Sequence, residues 1–328
     1  MPTPRALTPR TVSLGSLLAL VFFLSGTAAA APFFFSTGSP DGLIATLSRP
    51  VGAGHIQTET ADDFTLGGLT LIEKATFTGL LPLGAPLSSI TNVEIEFYHL
   101  FPKDSANPPS GKVPTRSGSP ADVEIAAATR EFLAGTLTFT ATLINSNFSV
   151  ANSLGLNGIP PVGSPEFPFT GGQGPTAGEE VEISVNFIPD VELPADHYFF
   201  RPEVELLSGG FLWLSAPKPI PAPADLQSWT RNDDLAPDWL RIGTDITHQG
   251  PFNAAFSLSG ATVPEPATLL LLGSGLLGLG AYGAWRRKRL RSSGVGWPVS
   301  REETFNRRWR HSTTRGVRKG FTSLPPGE

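Results

Sequence analysis

Three stretches of this chain alternate apolar and polar residues with a period of two. Val93, Ile95 and Phe97 alternate with Glu94, Glu96 and Tyr98. Leu137, Phe139, Ala141 and Leu143 alternate with Thr138, Thr140 and Thr142, and Val181, Ile183, Val185 and Phe187 with Glu182, Ser184 and Asn186. Successive side chains of a strand point to opposite faces, so each stretch has one face for a core and one for water. That is the pattern of antiparallel sheets. Further strands are predicted over residues 74–81, 198–206, 211–215, 240–244 and 255–260. Pro202 has no N–H to donate, which places its strand at an edge or a bulge. Long segments rich in Pro, Gly, Ser and Asn intervene, the largest at 102–120 and 145–178. One helix is predicted: Ser119 caps it, Pro120 fits its first turn, Asp122 completes a capping-box spacing, and it runs through residues 126–132. About eight to ten such strands are best buried as two sheets packed face to face, an all-β fold of the β-sandwich or jelly-roll kind.

The end of the chain obeys a different rule. Val263-Pro264-Glu265-Pro266 precedes nineteen uncharged residues, 267–285, and then Arg286, Arg287, Lys288 and Arg289. As a helix, nineteen residues reach roughly 28 Å, close to the hydrocarbon thickness of a bilayer. Four cations behind them stay on the cytoplasmic side and place the main body outside. One C-terminal transmembrane helix is therefore expected. The Gly-x-Gly-x-x-Gly spacing at 273–278 lies inside this run with no strand before it, which removes the dinucleotide reading.

Taken part by part, this tail resembles the PEP-CTERM sorting signal of exported bacterial proteins, which exosortases of the inner membrane recognise. The resemblance rests on Pro264, Glu265 and Pro266, on Val263 before and Ala267, Thr268 and Leu269 after, on the apolar run and on the basic cluster. It implies that Val263, Pro264, Glu265 and Pro266 are processing residues read by another enzyme. It implies exosortase and the membrane as partners, and exopolysaccharide-producing bacteria as the setting. The alternative is an ordinary C-terminal anchor.

The other end agrees with export. Arg5 and Arg10 are followed by a short apolar run at 12–24 and a small, Ala-rich exit. Ala28 and Ala30 satisfy the small-x-small cleavage rule, so a signal peptide ending at Ala30 is predicted. With no twin-arginine pair before the apolar run, general secretion is expected. The chain thus divides into a signal peptide (1–30), an ectodomain (31–262), a sorting signal with its helix (263–289) and a tail (290–328). The tail carries eight basic and three acidic residues and little apolar periodicity. It is expected to be disordered and cytoplasmic, and either a genuine appendage or the product of a misplaced stop codon.

No cysteine is present. An exported ectodomain of this size must then rest on its own core rather than on disulfides. The net charge of −5 conceals a segregation: residues 32–263 hold 10 Lys and Arg against 25 Asp and Glu, a balance of −15. Such a surface repels nucleic acid, which is excluded as a partner.

Catalytic signatures are missing. The five histidines are scattered, no His-Glu-x-x-His pair or Gly-x-Ser-x-Gly elbow occurs, and no thiol exists. A non-enzymatic role is expected. Asp62 and Asp63 have two readings, turn-capping acceptors or Ca²⁺ ligands, and the second makes Ca²⁺ the one candidate cofactor. Asn232, Asp233, Asp234 and Asp238 form a second acidic group with the same two readings. Glu203 and Glu205 share a strand face, which fits a solvent face or the carboxylate pair of a glycoside hydrolase. Trp213, Trp229, Trp239 and Tyr198 fit core packing or a sugar-stacking surface. The resulting expectation is an exported surface or extracellular-matrix protein, tethered as a precursor and then processed, with a structural or adhesive role. A glycan-binding or calcium-dependent adhesion module is the alternative, and a secreted glycoside hydrolase the third reading.

Overall fold

The structure, a computed structural model, describes residues 30–292 apart from 53, 108–109, 132–133, 156–157, 166, 218–226 and 264–267. The chain divides into two compact units, one ending at Ala267 and one beginning at Thr268. The second contains a single described helix, α1 (Thr268–Ser292).

The first unit is built from two sheets. The nine-stranded sheet is organised around β4 (Thr70–Leu81). One side of β4 pairs with β10 (Thr176–Leu193), which in turn pairs with β8 (Leu137–Val150). On the other side, β4 pairs with β16 (Phe256–Thr262) and β12 (Leu212–Ala216). β1 (Ala31–Ser36) lies beyond β16, while β12 is flanked by β2 (Ile44–Leu47) and β15 (Asn253–Ala254). β9 (Asn152–Leu154) adds to β2 as the one parallel pair among the described strands. The seven-stranded sheet runs β14 (Leu240–Arg241), β13 (Trp229–Asn232), β3 (Thr58–Leu66), β11 (Asp196–Leu206), β5 (Ile90–Leu100), β6 (Pro120–Glu131) and β7 (Ala134–Gly135).

The apolar members of the alternating stretches do what their period requires. Ile72, Ala75 and Phe77 of β4 and Val181, Ile183 and Val185 of β10 enter one buried cluster with Val93, Ile95 and Phe97 of β5 and Tyr198, Phe200 and Val204 of β11. One core therefore draws on both sheets. Its centre is aromatic: Phe200 stacks on Phe256 at 5.1 Å between ring centroids, and Trp213 meets Phe77, Phe200 and Phe256 edge-on at 6.5, 5.9 and 5.8 Å. The Trp213 indole N–H donates to the Ala255 carbonyl at 2.9 Å, so the polar tip of the largest core side chain is satisfied.

Three local expectations need correction. The predicted helix after Ser119 is strand β6, paired antiparallel with β5 from Val93↔Arg130 to Leu100↔Pro120, with register shifts on either side of Tyr98. Alanine's helix preference is small per residue, and the unpaired edge of β5 offers a whole ladder of backbone hydrogen bonds in return. Asp122 does not cap a helix. Its carboxylate pairs with Arg116 and accepts from Ser105 Oγ and the Asn107 N–H. Second, β11 is internal, between β3 and β5, despite Pro202. Its pairing with β3 ends at Phe200, and the Pro202 carbonyl on that side accepts from Ser48 Oγ at 2.5 Å. The missing N–H thus falls where β3 has already left. Third, the strand expected at 240–244 stops at Arg241 and continues as a wide turn, Ile242–Ile246.

Candidate sorting and processing site

β16 delivers the chain to the sorting motif. It is locked between two neighbours, with Thr262 opposite Thr70 on β4 and opposite Ala31 on β1. The Thr262 hydroxyl donates to the Ala31 carbonyl at 3.2 Å, and the Val263 N–H donates to the Leu69 carbonyl at 2.7 Å. Val263 is the last described residue before Pro264; Pro264, Glu265 and Pro266 lie outside the described residues, as does Ala28 of the signal exit. Ala30 is exposed, directly ahead of β1. Because β1 and β16 are antiparallel and Ala31 faces Thr262, the chain enters and leaves the β unit at one point. Cleavage after Ala30 would leave β1 whole.

Helix α1 covers most of the expected apolar run and carries Arg286, Arg287, Lys288 and Arg289 in its later turns, all exposed. Leu276, Leu277 and Leu279 are exposed at 61, 76 and 70%. The Arg289 guanidinium lies 4.7 Å over the Trp285 ring. No helix among the described residues is long and apolar enough to cross a membrane; the head of the expected span, at Ala267, is not among them.

The remaining candidates sit elsewhere in the β unit. Asp62 and Asp63 are neighbours on β3 and face opposite ways. Asp62 is fully buried and accepts from the Ala254 and Asp63 N–H groups at 2.5 and 3.0 Å. Asp63 meets His197 Nε2 at 2.5 Å. The other acidic group is equally dispersed: Asn232 Oδ1 accepts from the Leu235 N–H, Asp233 from the Gln57 N–H, and Asp238 pairs with Arg116 Nε at 2.9 Å. Among the described residues, no three His, Cys, Asp or Glu side chains are grouped to hold a metal. Trp213, Trp229, Trp239 and Tyr198 are all buried, so none presents a face on which a sugar could stack.

Glu203 belongs to a buried charge cluster that sequence reading missed. Arg201 on β11, 1% exposed, meets Glu203 at 2.5 Å, Glu59 at 3.4 Å, Glu94 at 3.5 Å and also Glu96. Arg231 on β13 grips Glu59 through Nε and Nη2 and lies 4.3 Å over the Trp239 ring. Gln57 donates to both Glu203 oxygens at 3.1 Å. Burial pushes the Glu203 carboxyl up to about 8, Arg201 opposing and Glu59 adding to the rise. Glu96 is pushed up by burial, but Arg201 and hydrogen bonds including that from Tyr98 bring it below its ordinary value. No carboxylate pair opens to a cleft here: Glu203 is 0% exposed. The signal available in the sequence was the run of opposite charges at outward positions of strands, Glu94, Glu96, Arg201, Glu203 and Arg231, too many for a plain solvent face.

Comparison with known proteins locates one match. A family model, the PEP-CTERM protein-sorting motif, matches residues 262–288. No curated protein and no solved structure matches the chain. The chain therefore carries a PEP-CTERM sorting motif, beginning at the last residue of β16, and is marked as an exosortase substrate.

Proposed function

We propose, with the sorting motif as premise, that this protein is an exported structural or adhesive component of the bacterial surface or extracellular matrix. It is made with a signal peptide over residues 1–30, held in the inner membrane by the helix that follows the motif, and cut near Pro264, Glu265 and Pro266. The product is a β-sandwich unit, released or attached to surface material such as exopolysaccharide. It performs no catalysis and requires no cofactor.

The observation that carries this reading is the position of the motif. It starts where β16 ends, so a cut within it separates a complete β unit from the helix without removing any strand. The shared exit point of β1 and β16 adds support, since both membrane-directed segments leave the same end of the unit. Calcium plays no part if Asp62 and Asp63 keep their present partners; millimolar Ca²⁺ should then leave the melting temperature unchanged from that in chelator. Intact mass and terminal peptide mapping of the protein from its host test the reading. A C-terminus within residues 263–266 supports it, and a retained helix in the mature protein refutes it.

One observation favours glycan binding as a second reading. Thr140, Ser184, Thr76, Ser257 and Ser36 lie in register on five adjacent strands, a row of hydroxyls across the outer face of the nine-stranded sheet. Thr76 and Ser257 are already hydrogen-bonded at 2.6 Å. Such a row can donate and accept along a neutral polysaccharide without the buried tryptophans. Binding on a glycan array, lost when Thr140 and Ser36 are replaced by Lys, would support it.

A further inference from the structure

Among the described residues of the β unit four arginines are buried, and three of them have carboxylate partners. Arg116 pairs with Asp122 and Asp238, Arg201 with four glutamates, and Arg231 with Glu59. Arg49 differs. It is anchored by its backbone, which exchanges two hydrogen bonds with Thr58 at 2.8 and 3.1 Å. The residue is 9% exposed, and Nε and Nη2 are buried with no hydrogen-bond partner among the described residues. Among the described residues no carboxylate lies within 4.0 Å of it. Burial lowers the guanidinium from its ordinary value, as expected where part of a charge has lost water without gaining a partner. Removing a charge from water is costly unless another charge or a set of hydrogen bonds replaces the solvent.

Arg49 also lines a partly open pocket of about 450 Å³. The other walls are mainly hydrocarbon, including Leu47, Leu80, Leu81, Leu83 and Leu212, and no acidic residue is among them. That volume lies in the range of small-molecule sites, which combine apolar walls with a few polar groups.

We propose that this cavity binds a monocarboxylate with an apolar body, its carboxylate paired with Arg49 and its hydrocarbon against Leu80 and Leu212. The chemistry selects this class in two steps. One cation on an apolar wall balances one negative charge; a phosphate dianion would bring a second, unbalanced charge into a leucine-lined space. The Nε and Nη2 edge is also the side of a guanidinium that grips a planar carboxylate through two parallel hydrogen bonds. A rotation of the guanidinium that turns this edge to the cavity replaces two unpaired donors by two charge-assisted bonds. The ligand's tail then fills space that leucine side chains already border.

Octanoate is the probe. The full chain, held in nanodiscs of neutral lipid, is titrated calorimetrically with octanoate, with acetate and with octanol, using empty nanodiscs as the blank. The expected result is saturable octanoate binding at least tenfold tighter than that of acetate or octanol. Arg49→Met should weaken octanoate at least tenfold and leave the melting temperature equal or higher, because an unpaired buried charge has been replaced by hydrocarbon. Leu212→Trp, which keeps the charge and fills the cavity, should abolish binding; it also decides the matter if Arg49→Met does not fold. Octanoate affinity unchanged in either variant, equal affinity for octanol, or no saturable heat overturns the proposal.

Discussion

Arg201→Met tests whether the charge cluster on the seven-stranded sheet is held together as described. The substitution keeps most of the side-chain volume and removes the guanidinium from among Glu59, Glu94, Glu96 and Glu203. Gln57 still donates to Glu203 and Tyr98 to Glu96, but neither carries a charge, and Arg231 reaches Glu59 alone among these carboxylates. Removing one partner of a buried ion pair costs about 3–5 kcal/mol, because the remaining charge is left without compensation. The cost should be unevenly shared. Glu203, already pushed up to about 8, is largely protonated at pH 7 and escapes by staying neutral. Glu96, which Arg201 helps to hold below its ordinary value, bears most of the loss. Urea unfolding at pH 7, followed by the fluorescence of the buried Trp213, Trp229 and Trp239, should therefore show Arg201→Met less stable by about 3–5 kcal/mol. The deficit should shrink at pH 5 as the stranded carboxyls take up protons. Adding Glu96→Gln should recover on the order of 1–3 kcal/mol, whereas adding Glu203→Gln should recover little. A deficit below about 1 kcal/mol, or one that is the same at pH 5 and pH 7, would refute the reasoning.

Glu203→Gln isolates the pH dependence. In the folded protein Glu203 holds its proton to about 8, while the unfolded chain releases it near 4.5. The folded state binds more protons across that window, so this group's stabilisation is complete below pH 4.5 and is lost as the pH rises towards 8. The variant cannot ionise, and the difference in stability between variant and parent, followed by urea midpoints, should move in the variant's favour from pH 4.5 to 8. A flat difference counts against a protonated Glu203. Gly260→Ala probes close approach of backbone: a Cβ there would lie 1.9 Å from the Leu71 carbonyl oxygen, at the register shift between β16 and β4. A loss of about 1–3 kcal/mol is expected in thermal or urea unfolding, and none if the strands can part. Trp213→Ala removes the side chain packed on Phe77, Phe200 and Phe256 and should cost about 3–5 kcal/mol, against less than 1 if the site collapses.

These predictions concentrate where period-two reasoning ran out. It identified the inner faces well: Val93, Ile95, Phe97, Val181, Ile183 and Val185 all reach the common core, because alternation is a statement about one face and one solvent boundary. It also implies that the alternate polar residues meet water, which holds for Thr138, Thr140 and Thr142 on β8. On β11 it fails. Arg201 and Glu203 are outward in the pleat yet buried, because Trp229 and Trp239 pack with Ala61, Tyr98 and Phe199 on that same outer face. A single strand's pattern holds no information about what a segment thirty residues later will cover. The same limit hid β6, whose alanine-rich sequence suits a helix and whose strand state is decided by the vacant edge of β5. The candidate sites divide in the same way. The sorting motif is a linear signal, read by order and spacing, and was fully legible. Arg49 is one arginine among many in the sequence; only the structure shows that, of the four buried arginines among the described residues, it alone has no carboxylate beside it and that it lines a pocket. Linear signals are addressed to enzymes that bind extended chain, whereas a pocket exists only after distant strands have met, here β2, β4 and β12. For this chain that difference means processing can be argued from the sequence, while ligand chemistry has to be argued from the fold.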